Sequence, residues 1–121
     1  PMLAASIARG QKNLARYPTT AKIFLPNGAP LAAGDLLKNP DYAATLRKLV
    51  EAERQALAKG ASRAEAIAAA ANRFYRGDIA QEFDRFFREQ GGVLRASDLA
   101  AYRVEWTRPL HTTYRGYDVY S

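Results

Sequence analysis

Few residues of this chain have the type and spacing needed for chemistry. His111-Thr112-Thr113 sets the only histidine beside two hydroxyls. That is half of an imidazole-activated alcohol, in which the ring takes the hydroxyl proton as the oxygen attacks a carbonyl. Such a pair needs an acid to orient the ring, and none is specified nearby, so a solvent-facing strand histidine is the plainer reading. Asp78 with Asp84, or Glu82 with Glu89, could be read as paired carboxylates for acid–base work. Their helical spacing from Arg88 and Arg85 makes them surface salt partners instead. Phe83, Phe86 and Phe87 could form an aromatic ligand box, but an i, i+3, i+4 spacing reads first as core. Arg115 and Tyr117 could touch nucleic acid, and a hairpin turn followed by a strand face explains them more simply.

Composition narrows the chemistry further. With no cysteine and one histidine among 121 residues, neither a disulfide nor the clustered ligands of an ordinary zinc site can be assembled from this chain alone. The length suits one domain. A net charge of +6 admits a polyanion partner, yet the basic residues are spread from Arg9 to Arg115 with acids interleaved, which reads as a solvated surface. A nucleic-acid partner is not expected. No signal-peptide pattern or membrane-spanning apolar run is present. The opening proline is consistent with an excised segment or a processed product.

The elements that must position these residues are mostly helical. Met2 to Tyr17 reads as a helix carrying Leu3, Ile7 and Leu14 and ended by Pro18, with Thr19 capping a short turn through Leu25. Pro26-Asn27-Gly28-Ala29-Pro30 is a turn, because Asn-Gly tolerates positive φ, and Leu31 to Leu37 is an irregular connector broken at Gly34-Asp35. Asn39 and Pro40 open a second helix with Tyr42, Leu46, Leu49, Val50 and Leu57 on its apolar face and Gly60 as its stop. Ser62-Arg63-Ala64-Glu65 is a capping box for a third helix, which runs to Gly77. A fourth spans Asp78 to Gln90, with Ile79, Phe83, Phe86 and Phe87 on one side and the pairs Asp84–Arg88 and Arg85–Glu89 on the other. After Gly91-Gly92, Ser97 caps a single turn with Leu99 and Tyr102. From Arg103 the period changes to two: Val104 and Trp106 share a face, and Tyr117 and Val119 lie on a returning strand bent at Arg115-Gly116. The expected fold is mainly α: a small orthogonal bundle of about four helices plus short turns, with a C-terminal β-hairpin-like tail. It is expected as a single partial domain over 1–121, helical through 102 and β from 103 to 121.

Five segments, in order, resemble the large subunit of gamma-glutamyltranspeptidases. They are Ile23-Phe24-Leu25-Pro26-Asn27-Gly28-Ala29-Pro30 with Gly34-Asp35-Leu36-Leu37, then Asn39-Pro40-Asp41-Tyr42-Ala43-Ala44-Thr45-Leu46, then Phe74-Tyr75-Arg76-Gly77-Asp78-Ile79-Ala80. Gly91-Gly92 with the turn Ser97-Asp98-Leu99-Ala100-Ala101-Tyr102 follows, and Arg108-Pro109-Leu110 with Tyr114-Arg115-Gly116-Tyr117-Asp118-Val119 closes the series. Each segment alone is weak, and their shared order carries the likeness. Tyr42 stands where the family motif has leucine, and a longer alanine-rich helical connection lies between Glu51 and Phe74.

The resemblance implies a self-cleaving precursor of the N-terminal-nucleophile class. Its new N-terminal threonine attacks a gamma-glutamyl amide such as glutathione, with its own α-amine as base and oxyanion donors stabilising the intermediate. In the family the nucleophile lies beyond the stretch matching Ser121, and the arginine that grips the glutamyl carboxylate lies before the stretch matching Pro1. Thr112-Thr113 resembles the family's nucleophile step but aligns with scaffold, and cleavage there leaves only residues 112–121 downstream. No residue here is therefore assigned a catalytic, cofactor-binding or metal-ligating role, and no cofactor is implied. The expected function is a non-catalytic scaffold segment of such an enzyme. Its partners would be the rest of the large subunit and the small subunit, with the gamma-glutamyl substrate bound only by the intact enzyme. Self-association through exposed surface is left open. A bacterial parent would be periplasmic or secreted. The alternative is a stand-alone basic helical module binding a polyanion or a protein.

Overall fold

The computed structural model describes residues 2–121. The described elements are, in order, α1 (Met2–Leu14), α2 (Pro18–Phe24), a 3-10 turn (Pro26–Gly28), α3 (Pro40–Ala58), α4 (Arg63–Tyr75), α5 (Asp78–Glu89), α6 (Ala96–Ala101), β1 (His111–Tyr114) and β2 (Tyr117–Tyr120). The fold is mainly α with a C-terminal antiparallel hairpin. Two segments read as turns are short helices, so the described residues hold six α-helices where about four were expected. The chain forms two compact units, one ending at Glu51 and one beginning at Ala52.

In the first unit the opening helix stops at Leu14, three residues short of the expected end. Pro18 does not merely end it. Its fixed φ and missing N–H suit a first helical position, so it starts α2, whose first backbone bond runs from Ala21 N–H to the Tyr17 carbonyl at 2.8 Å. Thr19 therefore lies inside a helix and caps nothing. The Asn-Gly turn forms as expected, with Asn27 at φ 60° and Gly28 at φ 82°. Ile7 and Leu25 are the buried apolar residues of this unit. In the connector, Asp35 accepts the Ala32 N–H at 2.9 Å, which closes the Gly34 bend. Asn39 accepts the Tyr42 N–H at 2.9 Å and caps α3 as its sequence specifies.

The second unit is organised by helix ends. The capping box at Ser62 is complete: its hydroxyl accepts the Glu65 N–H at 3.4 Å, and the Glu65 carboxylate accepts the Ser62 N–H at 2.7 Å. At the end of α5 the Gly91 N–H bonds to the Arg88 carbonyl and the Gly92 N–H to the Phe87 carbonyl, at 3.3 and 2.7 Å. These two bonds, with Gly91 at φ 72°, make a Schellman stop. Ser97 is not the cap of α6. Arg95 occupies that position, and its N–H is taken by the Asp98 carboxylate at 2.8 Å, because an acid three residues on can reach back where Ser97 cannot.

Helices α4, α5 and α6 pack on one another. Ala66 and Ala80 are wholly buried and Ile79 nearly so, so small side chains let α4 and α5 approach closely. The phenylalanines depart from their core assignment. Phe83 is 38% and Phe86 47% exposed, and Phe87 is half-buried. Helix α3 likewise leaves Tyr42, Leu46, Val50 and Leu57 exposed and buries no residue. An apolar stripe states which face a helix would bury, and among the described residues Phe74 of α4 meets Phe83 while Phe86 and the α3 stripe stay exposed.

The hairpin begins later than the period-two pattern suggested. Val104 and Trp106 are exposed and lie in no strand, Trp106 to 99%. The paired register is His111 with Tyr120, Thr112 with Val119, Thr113 with Asp118 and Tyr114 with Tyr117. Two bonds of 3.1 Å between Leu110 and Ser121 extend it by one pair. Arg115 at φ 50° and Gly116 at φ 81° form the expected bend, the twist-matched two-residue turn.

Candidate functional site

Among the described residues, the hairpin brings a histidine, a carboxylate and two threonines together. Strand β1 alternates faces, so His111 and Thr113 share a side, and the register adds Asp118 and Tyr120 from β2 to it. His111 Nε2 lies 2.8 Å from Asp118 Oδ1, and its ring rests on Tyr120 with centroids 4.6 Å apart. An orienting acid for His111 is thus supplied by the fold, and the sequence reading missed it. The contact follows from the register: the two-residue turn at Arg115-Gly116 pairs 113 with 118 and makes 111 the diagonal neighbour of 118, which the spacing within either strand does not state.

The threonines do not complete a relay. Thr112 faces the opposite side from His111, and Thr113 stands across from Asp118; no hydrogen bond joins either hydroxyl to the imidazole. All residues of both strands are exposed, so nothing excludes water from the group or sharpens its electrostatics.

The carboxylates are held in ion pairs. Arg85 bridges Glu82 at 2.5 Å and Glu89 at 2.7 Å, and Asp78 pairs with Arg73 at 3.0 Å. Glu53 pairs with Arg63. Asp84 does two things: one oxygen takes Arg88 at 2.7 Å, and the other accepts the Ala96 N–H at 3.2 Å, which ties α5 to the start of α6. The Arg88 hydrogen bond is the main cause that holds the Asp84 carboxyl below its ordinary range. Glu65 is lowered too, first by the Ser62 hydroxyl and then by the Ser62 N–H. Arg85 and Arg88 are raised by the acids that hold them, so the basic groups of α5 are occupied locally.

Aromatic contacts join the same elements. Tyr75 of α4 stacks on Tyr102 at 5.2 Å, and Phe74 meets Phe83 at 6.0 Å. Arg76 reaches the Ala100 carbonyl at 3.0 Å. Among the described residues no three His, Cys, Asp or Glu side chains are grouped to hold a metal ion, and no helix is long and apolar enough to cross a membrane.

The chain is similar in sequence to short stretches of much longer acylase and hydrolase proenzymes. The gamma-glutamyltranspeptidase family model matches residues 1–121, and the chain belongs to that family. It is 33% identical over 119 residues to the acylase ACY 1 proenzyme of Pseudomonas sp. (strain SE83), covering 98% of this chain and 18% of that protein. It is 32% identical to glutathione hydrolase proenzyme 2 of Schizosaccharomyces pombe, covering 90% of this chain and 15% of that one. The chain thus spans less than a fifth of either relative. Among solved structures it is similar to Helicobacter pylori gamma-glutamyltranspeptidase, with a TM-score of 0.74 and 25% identity over 98% of this chain and 29% of that one. Cephalosporin acylase from Bacillus halodurans gives 0.73 and 28%, covering 99% and 20%.

Proposed function

We propose that residues 1–121 are a non-catalytic scaffold within one domain of a gamma-glutamyltranspeptidase-like enzyme. Its full-length form would hydrolyse or transfer the gamma-glutamyl group of glutathione and related amides. In this reading the nucleophilic threonine is carried elsewhere in the protein and is freed by self-cleavage, with its α-amine as base. The observation that supports the reading most is the position of Thr112 and Thr113. Both lie within a paired strand, and neither hydroxyl is bonded to the one imidazole, which Asp118 and Tyr120 occupy. The exposed apolar faces of α3 and α5 are then surfaces for the rest of the large subunit and for the small subunit, since exposed apolar patches of this kind mark protein–protein contact sites.

A chromogenic gamma-glutamyl anilide tests this directly. The isolated chain is expected to release no more product than a chain-free control, and the full-length protein to turn the substrate over. Changing Thr112→Ala together with Thr113→Ala in the full-length protein leaves kcat unchanged. A collapse of kcat with KM retained would make one of those threonines catalytic and sink the proposal.

A further inference from the structure

Asn27 and Gly28 form the exposed tip of the 3-10 turn, both at positive φ. Among the described residues the Asn27 carboxamide has no hydrogen-bond partner. Nothing lies within 4 Å of where a Gly28 Cβ would stand, so the Gly28 nitrogen is unshielded on its side-chain side. A free carboxamide followed by an unshielded glycine nitrogen is the arrangement in which a peptide nitrogen attacks the amide before it. We propose that Asn27 is a modification site, converted by spontaneous deamidation, and that the folded turn restrains the reaction.

The step balances without a cofactor. The Gly28 nitrogen bonds to Cγ of Asn27, the Cγ–Nδ2 bond breaks, and ammonia leaves with the proton from Gly28. Water then opens the cyclic imide at either carbonyl, giving aspartate or isoaspartate. Two features restrain it. The Gly28 N–H donates to the Leu25 carbonyl at 2.9 Å, and Asn27 sits at ψ 22°, whereas ring closure needs a strongly negative ψ that swings this nitrogen onto the Asn27 side chain. The turn must therefore open first, as a local unfolding event. Isoaspartate would lengthen the backbone at the turn and displace the Gly28 carbonyl, which accepts Gln11 Nε2 from α1 at 3.4 Å. It would also add the first negative charge before Asp35.

The chain is incubated in mildly alkaline buffer with and without urea, and the Asn27 peptide is followed by mass spectrometry for amide-to-acid conversion. Conversion is expected in urea, with the native chain slower by about tenfold or more. Gly28→Ala slows the urea rate by shielding the attacking nitrogen. Equal rates in both conditions would overturn the restraint, and no conversion in urea would overturn the site. A Gly28→Ala rate equal to the parent's would overturn attack by that nitrogen.

Discussion

At the residue scale, the second glycine of Gly91-Gly92 matters for room, while the first supplies the positive φ of the helix stop. A Cβ on Gly92 would stand 2.3 Å from Cδ1 of the half-buried Phe87 ring, well inside van der Waals contact. The ring or the backbone must move, so Gly92→Ala is expected to destabilise the chain by about 1–3 kcal/mol, measured by urea denaturation. An unchanged midpoint would mean that Phe87 has a second rotamer at no cost. The pair is legible in sequence as a helix stop, but the ring against Gly92 is not. Nor is the His111–Asp118 contact, which becomes predictable only once the hairpin register is known.

At the element scale, single carboxylates fix helix ends. Glu65 closes the start of α4, and Asp84 links α5 to α6 while holding Arg88. Both titrate lower in the folded chain than their ordinary values. As pH falls, the unfolded chain therefore takes up protons first, and stability falls with it. The contribution is complete above the ordinary carboxylate range and is lost as pH drops through it toward the folded values. Helicity followed by circular dichroism should decline over that acid window. Asp84→Asn should flatten the decline and lower stability near neutrality; an unaltered profile would remove Asp84 as a cause. The box at Ser62 was legible because capping is local, spanning four residues. The cap of α6 was misread because serine at Ser97 and the acid at Asp98 both fit the pattern, and the chain direction entering at Arg95 decides between them.

At the scale of the whole molecule, the hairpin owes its order to its own ladder and turn, and its residues are exposed on both faces. Deleting residues 103–121 is expected to leave far-UV helicity and the urea midpoint of the remaining helices nearly unchanged; a large drop in either would show that the tail supports them. The main helix positions, the caps at Asn39 and Ser62, the Asn27-Gly28 and Arg115-Gly116 turns and the family kinship were determined by the sequence itself, because each depends on residues within a few positions of one another or on their order along the chain. Only the tertiary structure decided which apolar stripes are covered. The spacing of Phe83, Phe86, Tyr42 and Val50 specifies a face to bury, but burial depends on a neighbouring surface, and the described residues supply none large enough. The strand register belongs to the same class: it joined His111 to Asp118, turned Thr112 to the opposite side and set Thr113 across from Asp118, because pairing across a turn fixes contacts that neither strand encodes alone.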